Sequence, residues 1–275
     1  MDDPTPACRA REMRRSVELL GPLLFAYLLS APVIAGAQDS LRTRHSSIAL
    51  LTRFSQVKDV YNYGLAFAGG DLGVDYRTRF AQGNRQWTYE PRLVLGVLND
   101  ARAGIAAHFQ LRPVDLCHAW RLGNDGPLML GPYAAANYAW QLYPKLQSGH
   151  MFWYSSLELG VRLFARAKVR DRVLDCRFSS ALLGWASRPS HTTEEYWYAL
   201  RFRDWVRNPH TDLVFGGPTV FQHIGAEVAL LPREEGRLAL AYAFEYWGYS
   251  LFPGIKSLSH AIHLRWPVGG KRTGS

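Results

Sequence analysis

Ser148 and His150 stand two positions apart in the segment 138–156, with Ser155, Ser156 and Glu158 just beyond. A serine, an imidazole and an orienting carboxylate are the parts of a nucleophilic acyl hydrolase, in which the ring takes the hydroxyl proton and the third group holds the ring. Nearness in sequence does not bring these groups together in space, and a loop serine beside a histidine is usually a solvated turn. Ser148 and His150 are therefore the catalytic candidates of an alternative reading, and the balance of the residues is against an enzyme. His210 and His223 are further histidines of loop or interior type. No His-x-x-x-His or Cys-x-x-Cys spacing follows residue 37, and His260 and His263 fall on opposite faces of one strand, so no metal site is expected. There is no P-loop and no dinucleotide fingerprint, and no cofactor is expected.

A second set of chemistry-bearing residues is larger and more regular. Asp75, Arg77, Arg79, Glu90, Arg92, Glu158, Arg162, Arg177, Arg201, Arg203, Glu227, Glu245 and Arg265 sit at every second position of runs whose intervening residues are mostly apolar. A period of two puts the charges on one face of a strand and the apolar set on the other. Turned inward in a narrow barrel, these acids and bases neutralise one another, because an unpaired buried charge is costly. They form either a packed plug or an arginine-rich, pore-like constriction that selects anions. About ten strands leave little bore, which favours the plug.

The elements that must hold such a set are strands. Alternation is cleanest over 72–80, 87–97 and 153–165, and it recurs over 128–140, 173–187, 195–205, 220–230, 237–249 and 257–268. Residues 102–122 have strand composition broken only by Pro113, and read as one bulged strand or two. Asn124-Asp125-Gly126 is a hairpin turn. Hydrophobic residues are 48% of the chain, yet mean hydropathy is only −0.16. Apolar residues are thus interleaved with polar ones, as a wall between lipid and a polar interior requires. Aromatic residues gather near strand ends, and Trp87, Tyr89, Trp140, Trp153, Trp197, Trp247 and Trp266 are the expected membrane-interface set.

Residues 13–37 read as an export signal: Arg14 and Arg15 lead, an apolar middle follows, and Ala35-Gly36-Ala37 ends it. Met13 is a second candidate for the initiator. The expected organisation is a signal peptide over 1–37, a periplasmic lead-in over 38–58 and a barrel over 59–275. The fold class is all-β, a single closed antiparallel transmembrane β-barrel of 10 to 12 strands. The net charge of +9 suits anionic lipid headgroups and lipopolysaccharide better than nucleic acid, which an exported chain rarely meets. Of the three cysteines, Cys117 and Cys176 follow the signal and either pair or stay as two thiols. Oligomeric state is not readable.

The segments WQLYPKLQSGH, FGGPTVFQHIGAEV and FEYWGYSLFPGI complete the pattern. With them the chain resembles the Gram-negative outer-membrane β-barrel proteins, and more narrowly an uncharacterised family of exported barrels. The resemblance implies outer-membrane location and insertion by the barrel assembly machinery, with a structural or small-solute role. A loop-mediated adhesin or receptor scaffold is a further alternative. Barrel lipid hydrolases carry His-x-Ser on a wall strand, whereas here that spacing occurs at His45 to Ser47, in the expected lead-in. The chain also continues past Trp266 to Ser275, where the common barrel pattern ends on an aromatic.

Overall fold

The computed structural model describes residues 43–60, 63–123, 126–144, 150–170, 172–189, 201–210, 212–231, 238–251 and 254–268. Twelve strand segments follow in chain order: β1 (Thr43–Asp59), β2 (Ala66–Gln82), β3 (Arg85–Tyr89), β4 (Arg92–Asp100), β5 (Gly104–Arg121) and β6 (Leu128–Tyr143), then β7 (His150–Val169), β8 (Arg172–Ser187), β9 (Val214–Gly216), β10 (Phe221–Leu231), β11 (Ala239–Tyr249) and β12 (Ile255–Pro267). A short helix, α1 (Phe202–Arg207), runs into a 3-10 turn, Asn208–His210, between β8 and β9.

Two pairs of segments each act as one wall strand. β3 and β4 both lie between β2 and β5 and keep a single register on β2, with Tyr89 opposite Thr78 and Arg92 opposite Asp75. Their break is Glu90-Pro91, where proline has no N–H to give the ladder, while its carbonyl still accepts from the Tyr76 N–H at 3.1 Å. β9 and β10 both pair with β8 and are separated by a turn at 217–220. The wall therefore has ten members. β1 pairs antiparallel with β2 on one side and with β12 on the other, which closes the ring. Closure leaves no sheet edge with unpaired backbone groups. An even count brings the start of β1 and the end of β12 to one rim, the near rim; the far rim carries the long β8–β9 connection.

The two faces are chemically inverted relative to a soluble barrel. On β2, Leu72 is 70% exposed on the outside while Asp75 is fully buried inside. Around the ring the outward positions include Leu50, Leu95, Ile105, Val161, Phe178, Val228, Leu240 and Ile262, all exposed. A continuous exposed apolar belt over a charged interior is stable only with hydrocarbon outside, so the barrel spans a membrane.

Three expectations change and two open alternatives resolve. Residues 43–58 are not a lead-in but most of β1, a full wall strand. Its uninterrupted run Ile48-Ala49-Leu50-Leu51 hid an alternation in which Leu50 faces out and Arg53 faces in. His45 to Ser47 therefore lies on the wall, at the near rim, and not before it. The stretch 201–205 belongs to a connection and to α1 rather than to a strand, and residues 195–200 lie outside the described residues. Residues 102–122 are one strand with a bulge between Leu111 and Val114. Cys117 and Cys176 are free, and they point to opposite faces of the wall. Residues 1–37 lie outside the described residues.

Candidate functional site

The interior is the only place where the described polar residues converge in number. Strand alternation delivers them: Arg53, Ser55 and Asp59 from β1; Asp71, Asp75, Arg77 and Arg79 from β2; Glu90 and Arg92 from the broken strand. β5 supplies His108, Gln110, Arg112 and Asp115, and here the bulge at Pro113 matters. Three positions apart on a regular strand, Arg112 and Asp115 would face opposite sides; with one residue bulged out between them both face inward.

The centre of the network is a square of alternating charge. The Arg77 guanidinium donates to Glu90 at 2.7 Å through two nitrogens and to Glu227 at 2.8 and 2.7 Å. Arg177 donates to the same two carboxylates, reaching Glu227 at 2.7 Å. Four strands are tied by this square across the bore. Arg265 extends it, donating to Glu227 at 3.1 Å and lying 3.5 Å from Asp75, which also meets His263 Nδ1 at 2.7 Å. Bidentate, charge-assisted bonds of this kind are the strong members of their class.

A second cluster lies nearer the far rim. Glu245 accepts from Arg112 and, at 3.3 Å, from Arg92. Arg162 donates to Asp115 at 2.7 and 3.1 Å and lies over the Tyr133 ring at 4.6 Å. His223 has Glu158 at 2.7 Å from Nδ1 and Glu245 at 2.9 Å from Nε2. A carboxylate against each ring nitrogen makes both nitrogens donors, which is the imidazolium form. A third cluster joins Arg53 to Asp71 at 2.8 Å, Ser55 Oγ to Asp71 at 2.5 Å and His108 Nδ1 to Asp71 at 3.1 Å. Arg79 and Asp175 pair at 2.6 Å, and Arg188 closes on Asp59 at 2.7 Å at the far rim.

Toward the far rim the charges give way to an apolar layer. Val57, Phe67, Leu98, Tyr143, Tyr154, Phe221, Trp247 and Ile255 pack there from opposite walls. Tyr154 stacks on Trp247 at 4.3 Å, and Phe67 meets Tyr143 edge-on at 4.8 Å, each pair joining strands that are not neighbours. What remains of the bore among the described residues is small. The larger cavity is about 30 Å³ and a second is about 10 Å³.

In the Ser55, Asp71 and His108 cluster the carboxylate stands between hydroxyl and imidazole, whereas an activated serine needs the imidazole in the middle. His108, His223 and His263 bond to carboxylates, Asp71, Glu158 with Glu245, and Asp75 respectively.

Of the expected interior set, Asp75, Arg77, Arg79, Glu90, Arg92, Glu158, Arg162, Arg177, Glu227, Glu245 and Arg265 are all in the lumen and all hydrogen-bonded or ion-paired there. Arg201 and Arg203 are not: both are exposed outside the wall, at and within α1. Ser148 lies outside the described residues. His150 opens β7 opposite Tyr143, and its side chain lies outside the described residues. Among the aromatics, Trp87 and Trp266 are exposed on the outer face, and Tyr89 and Trp140 are half-buried there. Trp247 faces the lumen instead, on the same side of β11 as Glu245. Trp153 has the outward phase but is only 4% exposed. Beside it, the β8–β9 connection lies against the outer wall, where Ser155 Oγ donates to the Pro209 carbonyl and Tyr138 Oη meets His210 Nε2 at 2.8 Å. Trp197 lies outside the described residues.

Sequence reasoning missed Arg53, Asp71, His108, Arg112, Asp115 and Asp175 as interior members. Arg53 sat in the supposed lead-in, Asp71 followed the Gly69-Gly70 break, and the phase of β5 was unreadable without its bulge. Asp175 carried the right signal, sharing its phase with Arg177.

The excess charge of the chain sits elsewhere. Exposed Arg44, Arg85, Arg121, Arg166, Lys168, Arg170 and Arg172 ring the near rim.

No protein-family model matches the sequence, and no curated protein matches it. Among solved structures, the outer membrane protease OmpT from Escherichia coli aligns at 8% identity over 85% of this chain and 99% of its own, with a TM-score of 0.43. The β domain of the Bordetella autotransporter BrkA aligns at 11% identity over 81% and 98%, TM-score 0.40. The translocator domain of the autotransporter NalP from Neisseria meningitidis aligns at 7% identity over 93% and 97%, TM-score 0.40. Likenesses this faint speak to neither activity nor partner.

Proposed function

We propose that the chain is a sealed outer-membrane barrel of a Gram-negative envelope, exported on a leader that is removed after Ala37 and inserted by the barrel assembly machinery. Its role is structural: a rigid membrane anchor, not a diffusion pore. One observation carries this reading. The bore is crossed by the Arg77, Glu90, Arg177 and Glu227 square and, nearer the far rim, by the aromatic layer. The basic near rim is the side of the short turns and so the periplasmic one, and it supports contact with the phosphates of inner-leaflet lipids. Planar bilayers test the reading: the purified full chain inserts without conductance, whereas stepwise ohmic currents at low voltage would refute it.

A second reading has its own observation. The β8–β9 connection is pinned to the outer wall at Ser155 and Tyr138, which holds a loop for recognition at the far rim. In that case the barrel is the scaffold of an adhesin or receptor. Replacing residues 190–212 by a short flexible linker abolishes adhesion of cells carrying the barrel; equal adhesion ends the reading.

A further inference from the structure

A luminal cavity of about 30 Å³ is lined by five arginines, Arg53, Arg92, Arg112, Arg162 and Arg177, but by only two carboxylates, Asp115 and Glu245. The other carboxylates that pair with these arginines, Asp71, Glu90 and Glu227, do not line it. Three of the five carry a buried N–H with no partner: Arg53 Nη2, Arg92 Nε and Arg162 Nε. Their side chains are at least nine-tenths buried. Three orphan donors around one void call for an acceptor, since an unmet buried donor costs about 1–3 kcal/mol, more when charged.

Charge counting sets the sign of that acceptor. Among the described residues the enclosed ion pairs use nine arginines (53, 77, 79, 92, 112, 162, 177, 188 and 265) and nine carboxylates (59, 71, 75, 90, 115, 158, 175, 227 and 245). They cancel. His223, clamped between Glu158 and Glu245 with both nitrogens donating, adds one positive charge, and it lines the same cavity. Water satisfies donors but leaves that charge in place.

We propose that the cavity is a built site for one small monovalent anion of the halide class, held by the guanidinium groups of Arg53, Arg92 and Arg162. Its volume of about 30 Å³ admits two or three water-sized bodies at roughly 10–15 Å³ each, room for a halide with a water beside it. The ion offsets the His223 charge among the described residues and supplies the acceptor that the three N–H groups lack. It is a structural ion, bound as the barrel folds.

The test uses the full chain refolded in detergent with sodium bromide or with sodium gluconate at equal ionic strength. Crystals from the bromide preparation give an anomalous peak in the lumen among Arg53, Arg92 and Arg162. Density there without anomalous signal means water and overturns the proposal. In solution, replacing gluconate by chloride raises the folded-to-unfolded ratio saturably in site occupancy, by about tenfold per tenfold chloride once the dissociation constant is exceeded. A bromide peak with no chloride dependence of stability marks an adventitious ion only, and also overturns it. Arg92→Met, which removes one orphan donor and the longest ion pair of the cluster, 3.7 Å to Glu90, weakens the chloride dependence at least tenfold; an unchanged dependence counts against the site. If that variant fails to fold, the wild-type halide measurements decide.

Discussion

Glu227→Gln is the sharpest probe of the luminal square. The carboxylate accepts from Arg77 twice, from Arg177 and from Arg265, and it is 3% exposed. Its amide isostere keeps the shape but removes the charge and turns an NH2 toward guanidinium donors. Three arginines are then left with Glu90 and Asp75, one buried positive charge uncompensated. Breaking a buried pair in this way costs about 3–5 kcal/mol, a large share of a typical folding free energy of about 5–15 kcal/mol. At about 1.4 kcal/mol per decade, the unfolding equilibrium shifts by roughly two to three and a half decades. The assay is urea unfolding of the vesicle-reconstituted barrel followed by tryptophan fluorescence, where the midpoint falls at unchanged slope. The double variant Arg77→Met with Glu227→Met leaves Arg177 and Arg265 against Glu90 and Asp75, a balanced set, and is less destabilised than Glu227→Gln alone. A Glu227→Gln loss within about 0.5 kcal/mol, the range of an ordinary surface change, would refute the reasoning.

Leu72→Arg tests the outer face. On an exposed soluble surface this change is worth within about 0.5 kcal/mol, but at a lipid-facing site it costs about 2–4 kcal/mol near the bilayer midplane, read as loss of folding into vesicles. Trp247→Ala removes the stacking partner of Tyr154 from the apolar layer and costs about 3–5 kcal/mol in the same urea assay, whereas a lipid-facing tryptophan would give a depth-dependent and smaller loss. For the cysteines, denatured chain migrates identically on gels with and without reductant, and a bilayer-soluble maleimide labels Cys176 faster than Cys117. Equal labelling contradicts their assignment to opposite faces. Deleting Pro113 removes the extra residue of β5 and leaves Arg112 and Asp115 two positions apart, both still facing the lumen, so the barrel keeps its heat-resistant folded band on gels; loss of that band contradicts the bulge assignment.

Strand identity and the inward phase of most charges are written in the sequence, because a period of two needs only neighbouring residues to be expressed. Leu72 to Phe80 and the run after Trp153 carry it without interruption, and Arg77, Glu158 and Glu227 follow from it alone. β1 was lost because four consecutive apolar residues erase the period, although Arg53 and Ser55 keep the interior phase. Residues 195–205 carry a misleading signal, since Tyr196, Tyr198, Leu200 and Phe202 alternate like a wall strand although α1 begins at Phe202.

Which charge meets which is a different kind of information. Arg77 and Glu227 are 150 residues apart and touch only because the ring closes through β1 and β12. Trp247 was taken for an interface aromatic by its type, yet its phase on β11 turns it into the bore. The bulge at Pro113, the one-strand status of β3 with β4, and the count of ten members depend on pairings between distant segments, which no local pattern encodes. The chain by itself determined that it builds an alternating, two-faced wall; only closure of that wall decided that the bore is filled and its charges matched. Composition fixes the sign of each face, whereas the sealing of the lumen is a property of diameter and register.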